Sequence, residues 1–147
     1  MDVVDKNTRS RMMSGIKNTN TTAELLIRKG LHRRGFRYSC HKKGIPGTPD
    51  LFLKKYNALV FVNGCFWHAH GCKYFKWPST RKEFWETKIN SNAERDKRTR
   101  KYLLKMNYRI CTIWECSLKG KSKEQKLDTL ITRLAEWLLS DKKTKTL

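Results

Sequence analysis

Pro49-Asp50-Leu51-Phe52-Leu53-Lys54-Lys55-Tyr56-Asn57-Ala58-Leu59-Val60-Phe61-Val62 decides the fold. Asp50 to Leu53 and Ala58 to Val62 are short runs rich in β-prone apolar residues. They flank a polar turn at Lys54 to Asn57, so the stretch reads as two adjacent strands. The second run is apolar at every position, as a strand buried on both faces must be. Such a strand needs cover above and below, and the flanking sequence supplies it. Upstream, Thr21-Thr22-Ala23-Glu24 reads as a capping box opening a helix to about Arg34, ended by Gly35. Phe36 to Tyr38 suggests a further strand, and Gly44-Ile45-Pro46-Gly47-Thr48-Pro49 a loop that cannot continue regular structure. Downstream come a loop from Asn63 to about Ser79, a long helix from about Arg81 to Met106 and a strand over Arg109 to Trp114. An amphipathic helix from Lys123 to Leu139 follows, with Leu127, Leu130, Ile131, Leu134 and Leu138 at helical spacing. This order implies an α/β fold, a mixed sheet flanked by helices.

At 147 residues the chain is expected to be one domain. The expectation is a unit over residues 1–140 with a short helix near the N-terminus, and a basic, frayed tail over 141–147. Lys and Arg number 33 against 13 Asp and Glu, a net charge of +20. That excess suits a polyanionic partner, because neutralising phosphates releases their counterions. No apolar run approaches the ~20 residues of a membrane span, and the first residues lack the blocks of a signal peptide. The expectation is therefore an intracellular, cytoplasmic protein associated with the nucleoid. Five cysteines without an export signal argue against a disulfide framework and for metal ligation or burial.

The loop after the second strand contains Cys65-Phe66-Trp67-His68-Ala69-His70-Gly71-Cys72. Thiolate and imidazole suit tetrahedral zinc. Cys65, His68, His70, Cys72 and Cys116 offer five ligands for four positions, and spacing alone does not choose between the histidines. Cys116 follows the strand ending at Trp114, which in a compact sheet can return close to the loop after Val62. The plainer alternative is buried thiols and surface histidines. Cys40 and Cys111 read as ordinary small apolar residues. Phe66 and Trp67 sit between candidate ligands, where burial is hard and stacking on bases is favoured. Trp114, Trp137 and Phe84 read as core.

Asp50 opens a strand twelve residues before Val62, the arrangement of a metal-dependent nuclease hairpin, in which a hard cation takes oxygen ligands. Taken alone, Pro-Asp before a strand is more often a turn. On the long helix Trp85, Ile89, Asn92, Asp96 and Leu103 share one stripe. Asn92 and Asp96 interrupt an inward face there, and a carboxylate in that position needs a partner or a task. An internal ion pair to an arginine is the competing account. Glu24 has a capping role of its own at the third helical position.

Taken together, Pro49-Asp50, Phe61-Val62-Asn63-Gly64-Cys65-Phe66-Trp67-His68, Glu83-Phe84-Trp85, Asn92-Ala93-Glu94-Arg95-Asp96 and Trp114-Glu115-Cys116 resemble the very-short-patch mismatch-repair DNA endonucleases. Asp5-Lys6-Asn7-Thr8-Arg9-Ser10 with Met13 matches as well, and the resemblance covers roughly residues 3 to 140.

The resemblance implies a restriction-endonuclease-like fold with an embedded structural zinc site, and a monomer that nicks one strand at a T:G mismatch. In that family such mismatches arise when 5-methylcytosine deaminates. By this likeness Asp50 and the main-chain carbonyl of Val62 would bind Mg²⁺, and His68 would be the general base. Glu24, Asn92 and Asp96 would orient waters and the histidine. Cys65, His70, Cys72 and Cys116 would hold zinc, releasing His68. Phe66, Trp67 and Trp85 would wedge into the base stack, and the helix bearing Met13 (about residues 5–17) would press in from the minor groove. Mismatch-repair proteins are the implied protein partners. Asn63 departs from the pattern, standing where the best-known members carry a second active-site histidine. Asparagine can hydrogen-bond a phosphate but cannot shuttle a proton. Two rivals remain at this stage. One is a related zinc-containing nuclease cutting matched restriction-type sites, the other a non-catalytic zinc-bearing DNA-binding protein.

Overall fold

The computed structural model describes residues 21–65, 68, 70–72 and 76–147. The expected N-terminal helix with Met13, and the aromatics Phe66 and Trp67, lie outside the described residues.

Helix α1 (Thr22–Arg33) begins where the capping box places it. Thr21 is extended, and its hydroxyl accepts the Glu24 amide at 3.3 Å. Strands β1 (Ser39–Cys40), β2 (Leu51–Leu53) and β3 (Ala58–Asn63) follow, with β2 antiparallel to both of its neighbours. Helix α2 (Lys82–Lys105) then crosses over to β4 (Arg109–Trp114), which lies parallel to β3. Helix α3 (Lys123–Leu138) follows, and β5 (Thr144–Thr146) closes the sheet parallel to β4. The result is an α/β fold, a mixed five-stranded sheet in the order β1-β2-β3-β4-β5 with helices on its faces.

The alternation of β3 distributes its side chains to two cores. Ala58 and Val60 join Ile27, Leu31, Leu51, Cys111, Ile113, Leu134 and Leu138 in the larger cluster, built with α1 and α3. Leu59 packs with Ile45, Leu103 and Ile110, and with the half-buried Phe61, on the face that α2 covers. This two-sided burial is why the run reads as continuously apolar. Helices α1 and α3 approach closely at Gly30, where an added Cβ would lie 2.6 Å from the Ile131 side chain.

Four local expectations are corrected. The first strand falls at Ser39–Cys40, after the expected Phe36–Tyr38. Phe36 is instead buried in the larger core, and the Tyr38 hydroxyl donates to the Arg28 carbonyl at 3.1 Å. Cys40 is exposed at this sheet edge and is no apolar core residue, whereas Cys111 is fully buried. Phe84 is 45% exposed, because the buried contacts of α2 begin only at Ile89. The Arg81 guanidinium lies over its ring at 4.3 Å. Finally, Thr144 to Thr146 form a strand where a frayed tail was expected.

Arg109 explains how so basic a terminus is held. Its guanidinium donates to the carbonyls of Lys142, Tyr56, Leu138, Trp137 and Ser140, and lies 4.5 Å from the centroid of the Trp137 ring. It thus satisfies the free carbonyls at the end of α3 while fixing the turn into β5. Arg109→Met keeps the stem but removes the donors. It is expected to lower stability by about 2–4 kcal/mol, measured by denaturant unfolding; a change under ~0.5 kcal/mol would show that the network contributes little.

Candidate active site and metal centre

The β3–β4 register builds the first cluster. Asn63 pairs with Trp114, so the chain segments leaving the two strands start side by side. Two residues further on, each carries a cysteine, Cys65 and Cys116. With His70 and Cys72 they present three sulfurs and one imidazole nitrogen, all within 4.8 Å of one another. Cys116 Sγ is 3.6 Å from His70 Nδ1. The His70 ring stacks on Trp114 with centroids 4.0 Å apart and planes 5° apart, which fixes the imidazole against the sheet. Burial and the neighbouring thiols push the Cys65 thiol up to about 12, and burial also raises Cys116. Buried thiols in such a group stay protonated unless a cation takes the place of the protons. Three sulfurs and one nitrogen are a tetrahedral, soft to borderline donor set. The cluster therefore fits a metal, and it takes His70 rather than His68.

A cleft of about 670 Å³ opens at the same end of the sheet, on the α2 side. Asp50, Val62, Asn63, His68 and Asp96 line it, together with the exposed basic residues Arg95, Lys97 and Arg100. One wall is the loop before Asp50. Gly47 there has φ +83°, and a Cβ would come within 2.7 Å of the Thr99 side chain on α2. Only glycine satisfies both the backbone angle and the approach.

Asp50 sits at the start of β2, and its Oδ2 accepts the Val62 amide at 2.6 Å. In an extended strand a residue's N–H and C=O face the same neighbour, so the Val62 carbonyl also looks toward the Asp50 side. Glu24 reaches the same place from α1. It is only 2% exposed, and its Oε2 accepts from Arg28 Nη2 at 2.9 Å and lies 3.0 Å from His41 Nε2. Its amide serves the cap while its carboxylate serves this cluster. His41 Nε2 lies 3.7 Å from Asp50 Oδ1. The Asp50 carboxyl is pushed up to about 8, chiefly by burial and then by the Glu24 carboxylate, against the opposing effect of the Val62 amide. Two desolvated carboxyls pressed together repel when both ionise, and a divalent cation between them removes that cost. The donor set therefore fits a hard cation.

His68 is directed the other way. Its Nδ1 is hydrogen-bonded to Asp96 Oδ2. Asp96 thus pairs with an imidazole, and not with an arginine as the competing account had it. Asn92 lies one turn earlier on α2 and accepts from Arg95 Nη2 at 3.2 Å. Trp85 is half-buried, with its ring edge-on to Phe84 at 5.2 Å. His41 is the residue that sequence reasoning missed. It sits in no recognisable spacing, and its only signal is to be an imidazole in the loop that leads into Asp50.

Comparison with known proteins identifies the class. The family model for DNA mismatch endonuclease Vsr matches residues 1–74. The chain is 39% identical over 140 residues to the DNA mismatch endonuclease Vsr of Escherichia coli K12, covering 95% of this chain and 89% of that protein. It is 37% identical over 110 residues to the type II nicking enzyme V.XorIIP of Xanthomonas oryzae pv. oryzae, with 75% and 81% covered. With the type II nicking enzyme V.NmeAIP of Neisseria meningitidis it shares 39% over 121 residues, 82% and 86% of the two chains. The class is that of the strand-nicking DNA endonucleases, hydrolases whose substrate is DNA. The chain belongs to the DNA mismatch endonuclease Vsr family, as the sequence resemblance implied. Among the described residues no helix is long and apolar enough to cross a membrane.

Proposed function

We propose that this endonuclease nicks one strand of duplex DNA at T:G mismatches, in a reaction that depends on Mg²⁺. The observation that carries this reading is a single basic cleft lined by both Asp50, with Glu24 behind it, and the His68–Asp96 pair. Asp50 and the Val62 carbonyl would hold the Mg²⁺. Bound there, Mg²⁺ would polarise a phosphate oxygen and lower the pKa of water.

The chain's own residues divide the remaining work. With Nδ1–H given to Asp96, His68 keeps Nε2 free to take the proton of the attacking water, and Asp96 stabilises the charge that results. Glu24, behind Asp50, and Asn92, one turn before Asp96, would help to orient water beside them. Asn63 donates its amide to the scissile phosphate, so the leaving oxygen must take its proton from solvent. Arg95, Lys97 and Arg100 neutralise neighbouring phosphates. Zinc held by Cys65, His70, Cys72 and Cys116 would stiffen the loop that carries Phe66 and Trp67. Those two, with Trp85, are read as the wedge in the base stack, and Met13 as its minor-groove counterpart. Separating a weakly stacked wobble pair costs less than opening a matched step, where unstacking takes a few kcal/mol. Deformability thereby becomes selectivity.

The test uses labelled duplexes with and without a T:G mismatch, each in Mg²⁺ and in chelator. Nicking of the mismatched duplex alone, and only with Mg²⁺, is the expected outcome. Equal cleavage of matched duplex would replace this reading with one of a matched-site nicking enzyme.

A further inference from the structure

His41 carries an inference that neither the motifs nor the family likeness assigns. Its φ is +48°, a left-handed conformation uncommon outside glycine. Such backbone strain persists only where the surroundings hold it, and it gathers at functional sites. Here the His41 amide donates to the Asp50 carbonyl at 3.2 Å, just after β1 ends at Cys40. The turn aims the imidazole back at the two carboxylates.

The distances there have a particular size. Adjacent ligands in an octahedral shell about 2.1 Å from the cation lie roughly 3 Å apart. His41 Nε2 is 3.0 Å from Glu24 Oε2 and 3.7 Å from Asp50 Oδ1. The three donor atoms all fall within 4.8 Å of one another. A hydrogen bond to Glu24 alone would not require Nε2 to face Asp50 as well. Arg28 touches the same two atoms: its Nη2 donates to Glu24 Oε2 at 2.9 Å and lies 3.4 Å from His41 Nε2. It holds that carboxylate in place, and a bound cation would displace its contact with the imidazole.

We propose that His41 is a nitrogen ligand of the divalent cation at Asp50, completing a Glu24–His41–Asp50 face that holds Mn²⁺ more tightly than Mg²⁺. The proposal rests on the reading of Asp50 as a metal ligand. Its chemistry follows from the donor set. Mg²⁺ takes oxygen and gains little from imidazole, whereas first-row transition ions gain from a nitrogen donor. On binding, the neutral imidazole exchanges its contact with Glu24 for the cation. His41 then sets which ion the site prefers, while Asp50 decides whether an ion binds at all.

Mn²⁺ is the probe, added to full-length protein already loaded with zinc. Titration followed by the free-Mn²⁺ spin-resonance signal gives affinity, Mg²⁺ competition gives the preference, and pulsed spin resonance detects a coupled imidazole nitrogen. Wild type is expected to bind Mn²⁺ at least tenfold more tightly than Mg²⁺ and to show ¹⁴N coupling. His41→Gln should remove the coupling and weaken Mn²⁺ about tenfold, with Mg²⁺ changed less than about threefold. Labelling wild type with ¹⁵N-histidine tests the same point without a substitution, and the coupling should survive in His68→Gln. No nitrogen coupling in wild type, coupling that persists in His41→Gln, or equal weakening of both ions overturns the proposal. Asp50→Asn separates the two claims: if it still binds Mn²⁺ at this site, the reading of Asp50 fails and not the assignment of His41 alone.

Discussion

Asp50→Ala is expected to leave duplex binding near wild type while nicking falls by about 10³-fold or more. The size follows from the several kcal/mol that a positioned divalent cation supplies to charge developing on phosphate. Binding survives because affinity resides in the many lysines and arginines, one of the larger reserves in a chain of net charge +20. Single-turnover nicking beside a gel-shift titration reads both quantities, and nicking within tenfold of wild type would remove Asp50 from the site. A second signature appears without metal. The native Asp50 carboxyl keeps its proton to about pH 8, whereas in an unfolded chain it releases it near 4. Between those limits the native state binds more proton than the unfolded state, so this group makes metal-free stability fall as pH rises. Asp50→Asn cannot ionise. At pH 8 in chelator it should melt a few degrees above wild type, a gain that vanishes below about pH 4. Added Mg²⁺ should raise the wild type and not the variant.

Replacing Cys116 should have the largest effect on stability. Cys116→Ser leaves three donors of the Cys65–His70–Cys72–Cys116 cluster, and a closed structural site needs four. The expected result is loss of the bound zinc and a fall in melting temperature on the order of 10 °C, since metal bound only by the native state contributes to folding. Chelation of wild type should reproduce the variant's melting curve. Unchanged zinc content would take Cys116 out of the site.

Much of this was legible from local rules. The Thr21 cap, the apolar run of β3 and the period of α3 each fixed an element to within a residue or two. The thiol cluster was legible in part: spacing offered five donors and left the choice of histidine open, and the parallel register that starts the two loops side by side appears only in the fold. The misses share another cause. Whether Phe84 is covered, or Thr144 to Thr146 pair, depends on where α2 first meets the sheet and on Arg109, 33 residues before Lys142. His41 joins Glu24, 17 residues away, through a left-handed turn that no spacing rule contains. Its chemistry lies in the third dimension alone.

The placement of Cys116 has one more consequence. Cys65, His70 and Cys72 precede helix α2, and Cys116 follows the strand to which that helix leads. A metal held by all four would clasp the β3–α2–β4 crossover at its two ends, enclosing the 43 residues between Cys72 and Cys116. Closing a loop of that length costs the unfolded chain roughly 4 kcal/mol of freedom by the chain-entropy treatment, a cost that metal binding to the closed form offsets. Parallel strands pair slowly because the intervening chain must first be brought round. The ion would act there as a rivet, set once the two loops meet and holding the longest-range strand pairing of the sheet closed.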